Sequence, residues 1–139
     1  MKNLLTLCVS CLLLLGVTVA NAGVVVIVSA DSSVDYLEKA DVSDIFLAKK
    51  SSFPGGASAV PVDQTENSSD REAFHELVTG MSGRQLQSYW SRLVFSGKGE
   101  PPKEVEGAEV VSLVAGDPSL IGYVDASLVD DSVKVVLTP

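Results

Sequence analysis

The run Ser68-Ser69-Asp70-Arg71-Glu72 concentrates the residue types that can do chemistry in this chain: two hydroxyls, a guanidinium and the polar start of a helix. Backbone N–H groups at a helix N-terminus point at an incoming anion, and the macrodipole adds to them. Such a segment can hold a small oxyanion, with Ser68, Ser69, Asp70 and Arg71 as the candidate ligand-binding residues. The same residues have a plainer use, because Ser69 and Glu72 have the S-x-x-E spacing of a capping box, which satisfies a helix start without any ligand. His75, the single histidine, falls on this helix beside Arg71, Glu72 and Thr79, away from Phe74 and Leu77, and is expected at the solvated surface. With one histidine, and with the only cysteines at Cys8 and Cys11, a zinc site would need carboxylates almost alone, so neither metal nor cofactor is expected. No acid, base and nucleophile converge, which argues against an enzyme.

Other polar clusters carry weaker signals. Glu104, Glu106 and Glu109, and the pair Asp130-Asp131, lack calcium-loop spacing and sit in turn-like stretches where charge is simply solvated. The loop from Lys98 to Lys103, around Gly99 and Pro101-Pro102, is a second candidate for contact with an anion or a partner. Tyr89 and Trp90 fall at helical spacing with Leu86 and Leu93, which places Trp90 in a core.

The elements that position these residues alternate. Gly23 to Ser29 reads as a β-branched strand buried on both faces. Asp41 has the character of an N-cap for a helix running to Lys49, with Val42, Ile45 and Phe46 inward and Lys49-Lys50 at its C-terminal end. A turn around Pro54-Gly55-Gly56 leads to a short strand at Ala59 to Val62, and Asp63 to Ser68 is a polar connection into the Ser69 helix, whose inward face is Phe74, Leu77 and Val78. Gly80 ends that helix. Ser82-Gly83-Arg84-Gln85 opens another that runs to about Phe95. A helix over Glu109 to Ala115 and strands at Leu120 to Asp125 and Val133 to Leu137 complete an α/β pattern.

Residues 1–22 have the make-up of a signal peptide: Lys2, an apolar stretch from Leu4 to Val19, and the small-x-small sequence Ala20-Asn21-Ala22, with cleavage expected after Ala22. Much of the positive mean hydropathy of +0.30 comes from this leader. Its removal takes Lys2 from a formal net charge of −8 and leaves −9 on residues 23–139, a length suited to one domain. Such acidity disfavours nucleic acid and anionic lipid as partners, and nothing after the leader resembles a membrane-inserting segment.

The order of several short motifs resembles one family. Asp44-Ile45-Phe46-Leu47-Ala48-Lys49, the Pro54-Gly55-Gly56 loop, the strand ending at Val62, the Ser68 to Phe74 helix start, Tyr89-Trp90 and Ile121-Gly122-Tyr123-Val124 follow one another as in periplasmic phosphate-binding proteins, the solute-binding components of phosphate ABC transporters. The resemblance implies a type 2 periplasmic-binding fold, here a single three-layer lobe with a mixed sheet flanked by helices over residues 23–139. It also implies a periplasmic location, phosphate or another small oxyanion as ligand at Ser68 to Arg71, and an ABC transporter or another envelope protein as partner. The chain departs from the family in two ways. It has residues for about one of the two lobes that close on the anion. In the anion motif, where the family has an Arg followed by Ser-Gly-Thr, Gln64 falls near the Arg, Ser69 replaces the Gly and Asp70 the Thr. A ligand-free interaction or regulatory domain that keeps the fold is the alternative.

Overall fold

The computed structural model describes residues 23–139, so the expected leader and its cleavage site lie outside the described residues. Strand β1 (Val24–Ser29) is buried along its whole length. Helix α1 (Lys39–Phe46), strand β2 (Val60–Gln64), helices α2 (Ser69–Phe74) and α3 (Gly83–Ser96), strand β3 (Lys103–Val105), helix α4 (Gly107–Gly116) and strands β4 (Leu120–Asp125) and β5 (Val133–Leu137) follow. The strands form one sheet in the order β3-β2-β4-β1-β5. β2 runs parallel to β3 and β4, whereas β1 is antiparallel to both its neighbours, β4 and β5. This is the expected mixed sheet in an α/β lobe.

Alternation along β1 explains why both sheet faces are covered. Val24, Val26 and Val28 join Ile121, Tyr123, Phe46 and Phe74 on the face under α1 and α2, while Val25 and Ile27 join Val62, Val124, Val110 and Val114 on the face under α4. Gly122 lets α4 approach β4 closely, because a Cβ there would stand 2.7 Å from Val110 Cγ1. Helix α3 is held further out by Leu86 and Trp90, which pack on Leu47, and by the Tyr89 hydroxyl, which donates to the Leu47 carbonyl at 2.6 Å.

The start of α1 differs from expectation. The N-cap of α1 is Glu38, and Asp41 is its N3 partner in a reciprocal capping box; a carboxylate serves either position, and sequence spacing alone does not choose. Helix α1 also ends before the lysine pair, and Lys50 folds back to within 3.4 and 3.5 Å of Asp41 and Asp44. By contrast, Ser82 and Gln85 form the expected capping box of α3. The short strand β3, not expected from the sequence, forms because β2 offers it a parallel edge from Val62 to Gln64.

Candidate functional site

Parallel strands β2, β3 and β4 end on the same edge of the sheet, where α2 and α4 begin; crevices of this kind hold ligands in open α/β sheets. Gln64 is the last residue of β2 and is 1% exposed. Its side-chain N–H donates to the Tyr123 carbonyl at 2.8 Å, and its Oε1 accepts from the Ser68 hydroxyl at 2.5 Å. A Cβ on Gly107, the first residue of α4, would stand only 3.0 Å from that same Oε1. Gln64 therefore ties β4 to the N-cap of α2 and lies under the start of α4.

Ser68, not Ser69, is the N-cap: its Oγ accepts from the Arg71 amide at 3.3 Å, and the Ser69–Glu72 box does not form. The turn from Thr65 to Ser68 sets this register, through the Ser68 amide donating to the Thr65 carbonyl at 3.0 Å. Ser69 and Asp70 are thus the first residues of α2, and their amides find no partner among the described residues, as the first turn of a helix leads one to expect. Asp70 is pushed above the usual carboxylate range by burial and then by the negative charge of Asp125 at the end of β4.

Arg71 turns the other way. Its Nη1 donates to the Gln64 carbonyl at 2.6 Å and to Glu104 Oε1 at 2.7 Å, and lies 3.9 Å from Asp63 Oδ2. Burial weakens the charged form of Arg71, but the Asp63 charge and the Glu104 bond more than restore it. Ser68, Ser69, Asp70 and Arg71 thus stand together at one helix start, with the Ser68 hydroxyl and Arg71 Nη1 committed to internal partners.

Beneath this helix start lies a polar cluster that the sequence reading missed. Asp63, expected in the polar connection after β2, is 2% exposed within that strand, and His75, expected on the surface, is 3% exposed. His75 Nε2 is 2.9 Å from Asp63 Oδ2, and Nδ1 is 3.2 Å from the Thr79 hydroxyl. The Tyr123 hydroxyl donates to Asp63 Oδ1, which also accepts the Gln64 amide at 2.9 Å. Burial pushes the Asp63 carboxyl up, but the His75 bond and charge, the Tyr123 bond and the Arg71 charge outweigh it and hold Asp63 below its usual range. Tyr123 is driven strongly upward by burial and by Asp63, so it stays a neutral donor. Asp63 accepts three hydrogen bonds and faces the Arg71 charge, which makes this cluster a structural tie between β2, β4 and the helix that follows.

The inversion of His75 has a cause in the backbone. From His75 to Thr79 the helix widens into a π turn, with the Gly80 amide donating to the His75 carbonyl at 2.7 Å. The inward stripe becomes Phe74, His75 and Val78, and Leu77, expected inside, is 47% exposed. The one hint in the sequence was Tyr123, a phenol on a buried strand that needs a partner.

A hollow of about 660 Å³ lies between the π turn and the start of α3 and is lined by Glu66, Glu72 and Glu76 as well as Arg71 and His75, a charge balance unsuited to an anion. The Lys98 to Lys103 loop instead borders a groove of about 450 Å³ against Trp90 and Val62.

The fold has counterparts among solved structures. A phosphate ABC transporter substrate-binding protein from Clostridium perfringens, crystallised with bound phosphate, matches at a TM-score of 0.64 and 29% identity over 82% of this chain. An ABC-type phosphate transport receptor from Vibrio cholerae matches at 0.66 and 18% identity, and PstS from Borrelia burgdorferi at 0.60 and 11%. The chain spans only 44%, 45% and 46% of those three chains. No family model and no curated protein matches the sequence. The chain has the fold of a lobe of these phosphate ABC transporter substrate-binding proteins, and the resemblance drawn from the order of its motifs holds in three dimensions. Those neighbours are transport binding proteins rather than enzymes, and among the described residues no helix is long and apolar enough to cross a membrane.

Proposed function

We propose that this chain is an exported, periplasmic solute-binding-like domain that holds phosphate or another small oxyanion at the start of α2, through the Ser69 and Asp70 amides, the Ser68 hydroxyl and the Arg71 guanidinium. The supporting observation is the 29% identity to a structure that contains phosphate. Amides at a helix start supply donors aimed at an anion, and Arg71 supplies charge from one turn away. Neither Gln64 nor Asp70 favours tight binding: Gln64 contributes no charge, and Asp70 with Asp125 brings negative charge to the ligand's edge. The site is therefore a weak one. Export by cleavage after Ala22 is part of the same reading, and an ABC transporter or another envelope protein is the natural partner.

The test is titration of residues 23–139 with phosphate and sulfate while melting temperature is followed. A ligand that binds only the folded state must raise stability, by about 2.7 kcal/mol at a hundredfold excess over Kd. Absence of any shift at millimolar phosphate overturns the phosphate form of the proposal. If a shift appears, Ser68→Ala and Arg71→Ala should each reduce it, and unchanged affinity in both places the ligand elsewhere. Sulfate stays dianionic across the titration of Asp70, so its binding should tighten as pH falls and Asp70 is neutralised, and Asp70→Asn should abolish that trend.

The engagement of Arg71 by Glu104 favours a second reading, in which the fold is kept without its ligand and serves as an interaction or regulatory domain in the envelope. Recovery of one defined envelope partner, with no anion response, would decide for it.

A further inference from the structure

Helix α3 turns one face to the core, through Leu86 and Trp90, and the opposite face to solvent. Along that outer face Arg84, Ser88, Ser91 and Phe95 recur at helical spacing, and all four are exposed. Phe95 is 96% exposed, more than any other large apolar side chain among the described residues, and Val94 beside it is 54% exposed. The charge here is unlike that of the rest of the chain. Residues 80–103 carry Arg84, Arg92, Lys98 and Lys103 against one acid, Glu100, although acids outnumber bases 18 to 10 overall. Among the described residues none of these four cations is in an ion pair, whereas Lys50, Arg71 and Lys134 all are. The other end of α3 has the opposite character: the hollow of about 660 Å³ at its start is rimmed by Glu66, Glu72 and Glu76 and offers the apolar surface of Met81 and Leu86.

We infer that the outer face of α3 is the contact surface for a second copy of this chain, with the two α3 helices antiparallel and Phe95 of each copy seated in the hollow at the start of the other's α3. A two-fold contact has to be self-complementary, so that if one residue meets another, the second meets the first across the axis. The spacing on α3 satisfies this. An axis between Ser88 and Ser91 sets Ser88 against the second copy's Ser91 and Arg84 against its Phe95, because both pairs are centred on the same point of the helix. Small side chains at the centre let the two helices approach, and each Arg84 meets an aromatic ring, a cation–π pair made twice. The hollow opens beside that position, so the incoming ring reaches Met81 and Leu86. Arg92 and Lys98, which flank Phe95, come to the side of Glu72 and Glu76. Each basic end thus covers an acidic one, and this local attraction opposes the repulsion between two acidic copies. One helix per copy is a small area, so the dimer is weak and reversible. The contact does not depend on anion binding at α2.

The experiment is sedimentation velocity of residues 23–139 from low micromolar to submillimolar concentration. The parent should pass from monomer to dimer. Phe95→Ser should weaken the dimer about tenfold or more, as loss of a central aromatic anchor does, while Tyr36→Ser, at another exposed aromatic, should stay within about twofold of the parent. Glu76→Lys should weaken it too, and no effect there removes the hollow as the seat of Phe95. Residues 23–139 contain no cysteine, so Ser88→Cys mixed with Ser91→Cys should join copy to copy through a short bismaleimide, and Asp131→Cys, in the loop before β5, should not. A monomer at every concentration overturns the inference, and so does a dimer indifferent to Phe95→Ser or one crosslinked as readily through Asp131→Cys. Binding of a monomer to phosphatidylglycerol vesicles through Phe95 overturns it in favour of a lipid surface. Melting curves of Phe95→Ser and Glu76→Lys, both at exposed positions, should match that of the parent and show that the fold survives.

Discussion

On the sheet face under α1 and α2 the core mixes aromatic rings with a buried carboxylate, a phenol and an imidazole, whereas the face under α4 is aliphatic, built from Val25, Ile27, Val62, Val110, Val114 and Val124. The stack of Phe74 on Tyr123, with centroids 4.0 Å apart and planes 6° from parallel, is continuous with the Tyr123, Asp63 and His75 bonds. The aliphatic face depends on volume, so its failures should be graded. The polar face depends on complete pairing, where removing one partner strands the others. The face with the costlier chemistry is also the one that positions the start of α2, through Gln64 and Arg71.

The largest effects should separate the faces. Asp63→Ala leaves the Tyr123 hydroxyl, the Gln64 amide and the Arg71 charge without their shared acceptor, and should cost about 3–5 kcal/mol, read by urea unfolding. Val110→Ala removes two buried methyls and should cost about 2 kcal/mol with its cavity. If the two losses prove equal, the distinction between the faces fails.

The next effect concerns fit. Gly122→Ala places a Cβ against Val110 and Val114 and should cost about 1–3 kcal/mol, and pairing it with Val110→Ala should recover part of the loss. The pH dependence is smaller and belongs to the polar face alone. Because the folded state holds Asp63 below its unfolded value of about 3.9, its stabilisation is present above that pH and is lost as pH falls through the lower, folded value. Asp63→Asn should therefore flatten the acid side of the stability curve, and Val110→Ala should leave its shape unchanged. Least of all, Ser82→Ala, at a cap remote from both faces, should cost about 1 kcal/mol.

The same division governs what could be read from sequence. β1, β4, β5, α4 and the capping box at Ser82 were legible because β-branched runs, Gly/Pro punctuation and cap spacing act locally. The polar face was not, because its logic is non-local. Asp63 looks like a loop carboxylate until Tyr123, far along the chain, is known to reach it. His75 looks exposed on a regular 3.6-residue helix and is carried inward by the π turn. At the start of α2 the S-x-x-E spacing points to Ser69, whereas the cap is Ser68, and Glu104, the outer partner of Arg71, is brought there only by the parallel pairing of β2 with β3.

Strand β1 has a kinetic consequence as well. Val26 is paired with Tyr123 on one side and with Leu137 on the other, so the first strand of the described chain is completed only by its last two. Contacts this distant in sequence carry a loop-closure cost that nothing local repays, and they slow folding. The apolar run Val24 to Val28 therefore stays exposed until the C-terminal strands are made. During that interval an apolar segment is open to misassociation, and the rate of folding is set by the strands that are made last.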